Sequence, residues 1–227
     1  MNTPPTIRLA VLDLAGTTVR DDGAVEAAFI EALRQAGAGP GTDGYERRRA
    51  YLRATMGISK IDVFRELLGD DSTARRANEA FEAAYGAGLA AGGAAPIAGA
   101  VEAMAALRAG GVLVCLTTGF SGRTLDALLD ALGWRDRVDL ALSPTVGVRG
   151  RPHPDLVLAA ILALGVDDVR QVAVAGDTAN DLLAGTRAGA SIVAGVLTGA
   201  HDRATLGAAP HTHLLESVAD LPALCLP

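Results

Sequence analysis

The chain's 227 residues suffice for one large domain, or for a core interrupted by a smaller inserted one. Half are hydrophobic, so a sizeable core is expected, and a net charge of −6 leaves no broad cationic face, which argues against a general nucleic-acid binder. Cys115 and Cys225 are the only cysteines, and residues 1–6 carry neither a basic start nor an apolar run. A disulfide framework and a signal peptide are therefore not expected, and a reducing, cytoplasmic setting is. Glu102 and Arg108 interrupt the Ala/Gly-rich stretch over 89–114, so no membrane span is expected either.

Ile7, Leu9, Val11 and the residues between them form a short apolar run, uncharged after Arg8, of the kind that makes a strand buried on both faces of a parallel sheet. The run ends in Asp13, and Gly16 lets the chain turn away. Ligands bind at the carboxyl ends of such strands, where a carboxylate acts as a nucleophile, a cation ligand or a ribose acceptor. No G-x-G-x-x-G follows, which counts against a dinucleotide site.

A turn at Asp21-Asp22-Gly23 leads into a block that reads as helical up to about residue 92. Helices are predicted over Val25–Ala36, through Arg47–Arg49, over Ser59–Leu68 and over Ala74–Leu89, with a Gly/Pro-rich loop at 39–44. Gly92-Gly93-Ala94-Ala95-Pro96 reads as a hinge. Beyond Ile97 helices alternate with strands at Val112–Leu116, near Leu140, at Gln171–Ala175 and at Ser191–Val196. The expected fold is α/β, a doubly wound parallel-sheet core of residues 1–20 and 93–227. An all-helical cap, residues 21–92, would lie over the strand ends as a lid.

Three predicted strand ends converge, closed by Asp13, followed by Thr118, and followed by Asp177 and Asp181. The three aspartates offer hard oxygen donors for Mg²⁺. Each alone is commonly a helix cap or turn residue, so the set carries the suggestion rather than any member.

Lys60 stands apart. Ser59 and Asp62 form a Ser-x-x-Asp capping pattern, which puts Lys60 in the first turn of a helix, where the dipole disfavours a cation. It shares a face with Val63, Phe64 and Leu67, and desolvation there pushes an amine toward its neutral, nucleophilic form. The alternative is a lysine snorkelling off an apolar stripe. Arg47–Arg49 read as a solvated basic face, with attraction of an anionic substrate as the alternative; His153 reads as a helix-start residue, with proton transfer as the alternative; His201, His211 and His213 lack a zinc-ligand pattern.

Asp13-Leu14-Ala15-Gly16-Thr17, Thr118, Gly150-Arg151-Pro152 and Gly176-Asp177-Thr178-Ala179-Asn180-Asp181 resemble the four motifs of the haloacid dehalogenase superfamily, in order and across nearly the whole chain. The resemblance implies a Rossmann-like core and makes Asp13 a nucleophile that forms an aspartyl-phosphate. It places Gly16, Thr17, Thr118, Gly119 and Arg151 around the phosphoryl group, with Mg²⁺ at Asp13, the Ala15 carbonyl and Asp177, supported by Asp181.

Ala15 stands where phosphatases of the superfamily carry a proton-donating aspartate, and the Asp-x-Ala-Gly-Thr variant is similar to that of phosphonoacetaldehyde hydrolases. By that likeness Lys60 is a Schiff-base lysine, with Met56 beside it, and the substrate is a small 2-oxo-alkylphosphonate. Val63 and Phe120 occupy positions where that group carries histidine and tyrosine. A homodimer through the cap is a further implication. Two alternatives stand beside this one: a phosphatase acting on a small phosphate monoester, of phosphoglycolate phosphatase type, and a catalytically weak binding protein of the same fold.

Overall fold

The computed structural model describes residues 6–227. Residues 1–5, which include the start of the predicted core segment and most of the stretch read for a signal peptide, lie outside the described residues. Six parallel strands form one sheet: β1 (Leu9–Asp13), β2 (Leu113–Thr117), β3 (Leu140–Leu142), β4 (Val172–Gly176), β5 (Ile192–Val196) and β6 (His213–Leu215). Their order across the sheet is β3-β2-β1-β4-β5-β6. The order reverses between β1 and β4, and the crevice beyond the carboxyl ends at that point is where such sheets hold ligands. Register brings Asp13 opposite Thr117, and Leu12 opposite Ala175, so three strand ends finish at one level.

Between β1 and the next strand the chain makes α1 (Ala24–Gln35), α2 (Tyr45–Ala54), α3 (Lys60–Leu68) and α4 (Asp71–Ala90), followed by α5 (Ala100–Ala109). The first four pack on one another as a helical insertion, α1 and α3 both against α4, and are called the cap below. Phe29 of α1 lies 4.9 Å from Phe64 of α3 and 4.7 Å from Phe81 of α4, centroid to centroid. Tyr85 extends this cluster to Phe120 of the core, at 4.7 Å. Phe120 is buried, and burying such a side chain is worth about 1.5–3 kcal/mol, so the ring ties cap to core. The two crossings lie side by side: Val19 and Pro96 form an antiparallel bridge, and the Arg20 amide donates to the Ala95 carbonyl at 2.8 Å.

The remaining helices are α6 (Gly122–Leu132), α7 (Asp155–Ala163), α8 (Ala179–Ala188), α9 (Arg203–Ala208) and α10 (Pro222–Cys225). Strand alternation sends Ala10 and Leu12 into one core layer with Met104 and Leu107 of α5. It sends Leu9 and Val11 into the other, with Val157 and Ile161 of α7. Both faces are thus covered, as a doubly wound sheet requires. Among the described residues no helix is long and apolar enough to cross a membrane. Cys115 and Cys225 are free and buried.

Three local readings need correction. α4 starts three residues before Ala74, because Asp70 accepts the Thr73 amide at 2.7 Å and caps the helix there. Ser59 does precede α3, but its side chain accepts no capping hydrogen bond. The basic face of α2 is at least partly solvent-exposed, as expected, with Arg49 also pairing with Glu26 of α1. The chain after Val196, unassigned from sequence, supplies α9, β6 and α10.

Candidate active site

Asp13 ends β1 and is buried among polar groups drawn from distant segments. Its own carbonyl accepts the Thr18 hydroxyl at 2.9 Å, which closes the turn beneath it. Gly16 sits in that turn at φ +87°, and a Cβ there would collide with the Asp177 carboxylate, so the close approach of the two loops needs glycine. Asp177, just beyond β4, is anchored on both oxygens. Thr17 Oγ1 donates to one at 3.2 Å, and the Ala200 amide donates to the other at 2.7 Å.

Arg151 joins the aspartates. Its Nη1 pairs with Asp13 and, at 2.6 Å, with Asp181, while Nη2 donates to Thr117 Oγ1 at 3.2 Å. Asp181 also accepts the Thr178 amide at 3.0 Å in the capping box that starts α8, so it serves as cap and site residue together. Three buried carboxylates therefore face two buried basic groups, Arg151 and Lys60. Burial pushes the Asp13 carboxyl up to about 6 against the pull of Arg151, and burial beside Asp13 and Asp181 raises Asp177 well above the usual carboxylate range.

A cation at the two strand ends would relieve this repulsion. Asp13 and Asp177 carry carboxylate oxygens, Ala15 lines the same cavity, and no backbone amide among the described residues donates to the Ala15 carbonyl. That donor set suits Mg²⁺, which keeps the rest of its octahedron for water and phosphoryl oxygens. Among the described residues no three His, Cys, Asp or Glu side chains form a ready cage, and Asp181 is turned to Arg151 and Thr178.

The cap closes over this floor through backbone contacts. The Lys60 amide donates to the Gly119 carbonyl at 3.2 Å, and Asn180 Nδ2 donates to the Met56 carbonyl at 2.8 Å. Gly57, at φ +83°, comes so near Thr178 that a Cβ would lie 2.6 Å from its hydroxyl. Lys60 is thereby pointed into the site. Its amine lies 5.5 Å from the Phe29 centroid and 5.3 Å from that of Phe120, and no hydrogen-bond acceptor holds it among the described residues. Burial pulls its pKa down to about 8, with Arg151 acting in the same direction and Asp13, Asp21 and Asp177 opposing.

The cavity between these groups is small, about 30 Å³. Of the residues singled out from sequence, it is lined by Asp13, Ala15, Met56, Lys60, Thr118, Gly119, Arg151 and Asp177. Gly16, Thr17 and Asp181 stand behind that wall and position it. Sequence reasoning missed Asp21, read as a turn residue, and Ala200, which acts through its backbone amide; Phe120 was noted only as a departure.

Residues 7–189 match the family model described as haloacid dehalogenase-like hydrolase, and the chain belongs to that family. It is 31% identical over 219 residues to a protein named probable phosphatase IndB from Dickeya dadantii, a match covering 94% of this chain and 91% of the other. It is 33% identical over 217 residues to phosphonoacetaldehyde hydrolase from Bacteroides fragilis, covering 87% and 79%. A solved structure from Oleispira antarctica, titled a phosphonoacetaldehyde hydrolase-like protein, superposes with a TM-score of 0.83 at 25% identity, covering 99% and 94%.

Proposed function

We propose that the chain is a cytoplasmic, Mg²⁺-dependent hydrolase that cleaves the carbon–phosphorus bond of a small 2-oxo-alkylphosphonate such as phosphonoacetaldehyde. The observation that carries this reading is the buried Lys60, its amine near two aromatic rings and lining one cavity with Asp13. Ala15 lines the same cavity, where an ester-cleaving relative would need a proton donor.

The two features support each other chemically. The neutral Lys60 amine adds to the carbonyl carbon beta to phosphorus and loses water, leaving an iminium on Lys60. Asp13 attacks phosphorus in line, the electrons of the C–P bond move into the iminium, and an enamine departs. No oxygen leaving group has to be protonated, so Ala15 suffices. Arg151 holds the Asp13 carboxylate and carries the positive charge that faces phosphoryl oxygens. Mg²⁺ bound at Asp13 and Asp177 would supply charge neutralisation for the transferring phosphoryl group. Water then hydrolyses the aspartyl-phosphate and the iminium formed when the enamine takes up a proton at carbon.

The likeness to the Dickeya dadantii protein favours a second reading, a phosphatase of small phosphate monoesters in which Lys60 only binds substrate. Phosphate release from phosphonoacetaldehyde and from an aryl phosphate, assayed side by side in Mg²⁺, separates the two. The C–P reading expects the phosphonate to be turned over and the ester barely at all; the reverse order establishes the phosphatase.

A further inference from the structure

Among the described residues five ionisable ones line the cavity: Asp13, Asp21, Lys60, Arg151 and Asp177. Four are committed. Asp13 is paired with Arg151 and aimed at phosphorus, Asp177 is tied down on both oxygens, and Lys60 is the amine. Arg151 stays protonated throughout. Imine formation nevertheless needs a group that gives and takes a proton at the carbonyl oxygen, and among the described residues no histidine, cysteine or tyrosine lines this cavity. Asp21 remains.

Its surroundings suit that work. Asp21 Oδ1 accepts the Val25 amide at 2.9 Å, which fixes the carboxyl at the start of α1, while Oδ2 has no donor among the described residues. Asp21, Met56 and Ala200 line both this cavity and a cleft of about 700 Å³ between cap and core. Asp21 therefore borders both the site and the outer cleft. Lys60 of α3 and Tyr85 of α4 face it across the cap, Asp22 and Glu26 lie on its own segment, and Arg20 and Arg53 of α2 border the outer cleft. Burial raises its pKa above the ordinary value, so more of it is protonated near neutrality than of an exposed carboxyl.

We infer that Asp21 is the proton-transfer residue for making and hydrolysing the imine on Lys60. The inference rests on the C–P reading above. As the amine adds, the C–N bond forms, the carbonyl π pair moves to oxygen, and a proton passes from nitrogen to that oxygen. Protonated Asp21 then donates to the hydroxyl, the C–O bond breaks, water departs, and the nitrogen lone pair closes the C=N⁺ bond, leaving Asp21 as carboxylate. After C–P cleavage the enamine takes up a proton at carbon, water adds to the resulting iminium carbon and gives its surplus proton to Asp21, and the carbinolamine collapses, its hydroxyl proton passing to nitrogen as the C–N bond breaks and the carbonyl product leaves.

Borohydride trapping of Lys60 by phosphonoacetaldehyde, followed against pH in the wild type, Asp21→Asn and Asp21→Glu, tests this. Asparagine keeps an oxygen for the Val25 amide, and melting curves check that each variant folds. The expected result is a trapping rate lowered about 10²-fold or more in Asp21→Asn, with one limb of the pH profile lost and both partly restored in Asp21→Glu. Wild-type trapping that is matched by Asp21→Asn in rate and pH profile overturns the role of Asp21 alone. A wild type that forms no adduct at Lys60 overturns the C–P reading and this inference with it.

Discussion

The Lys60 amine lies 5.3 Å from the centre of the Phe120 ring, an approach that joins the first residue of a cap helix to the loop after a core strand. Phe120 and Phe29 pack near the amine, and burial is the main reason its pKa falls to about 8. Folding therefore costs more while Lys60 is charged. The unfolded chain binds the extra proton between about pH 8 and the ordinary value of 10.5, so this group's contribution to stability rises with pH through that window. The difference is on the order of 3 kcal/mol. Lys60→Met should be more stable than the wild type at pH 7, with the gap closing toward pH 10.5, and should lose phosphonate turnover. Denaturant melts at several pH values and a phosphate-release assay check both.

Arg151 is buried between Asp13 and Asp181, so removing it strands two carboxylates in the interior. Breaking a buried pair from one side costs about 3–5 kcal/mol. Arg151→Ala should lose stability of that size, and Arg151→Lys should recover only part, because one ammonium cannot reproduce the contacts to Asp13, Asp181 and Thr117 together. Urea denaturation of the three proteins measures it.

Asp13 and Asp177 repel one another across the strand ends, and a divalent cation removes that penalty. Adding Mg²⁺ should raise the melting temperature, by an amount equivalent to about 2.7 kcal/mol at a hundred times the dissociation constant. Asp177→Asn should lose the response while keeping the fold. Thermal melts with and without Mg²⁺ decide this without any assay of turnover.

Ala15 lines the cavity beside Asp13. Ala15→Asp restores a group able to protonate an ester oxygen, and general acid–base help of that kind is worth about 10²–10⁴ in rate. Aryl and alkyl phosphate hydrolysis should rise by at least the lower figure in this variant, most of all for the alkyl ester with its poorer leaving group. Steady-state kinetics on the pair of esters tests it.

The parts of this site legible in the sequence were those that depend on side chains at strand ends. Asp13 and Asp177 follow apolar runs that can only be buried strands, and Lys60 shares its helix face with Val63 and Phe64, both buried. The parts not legible depend on backbone or on distant packing. The Ala200 amide that fixes Asp177 leaves no trace in residue type. Asp21, between another aspartate and a glycine, carries an ordinary turn signature, and only the closure of the cap over it makes it a cavity residue. β6 is three half-buried residues at the sheet edge, held by pairing with Ala194–Val196, and has no alternation long enough to read.

The most direct test of the account is reduction of the wild-type protein with borohydride during turnover of phosphonoacetaldehyde, followed by peptide mass mapping. The expected result is a two-carbon adduct on the peptide containing Lys60, with loss of activity in step with labelling. Phosphate release from the phosphonate with Lys60 left unmodified contradicts it.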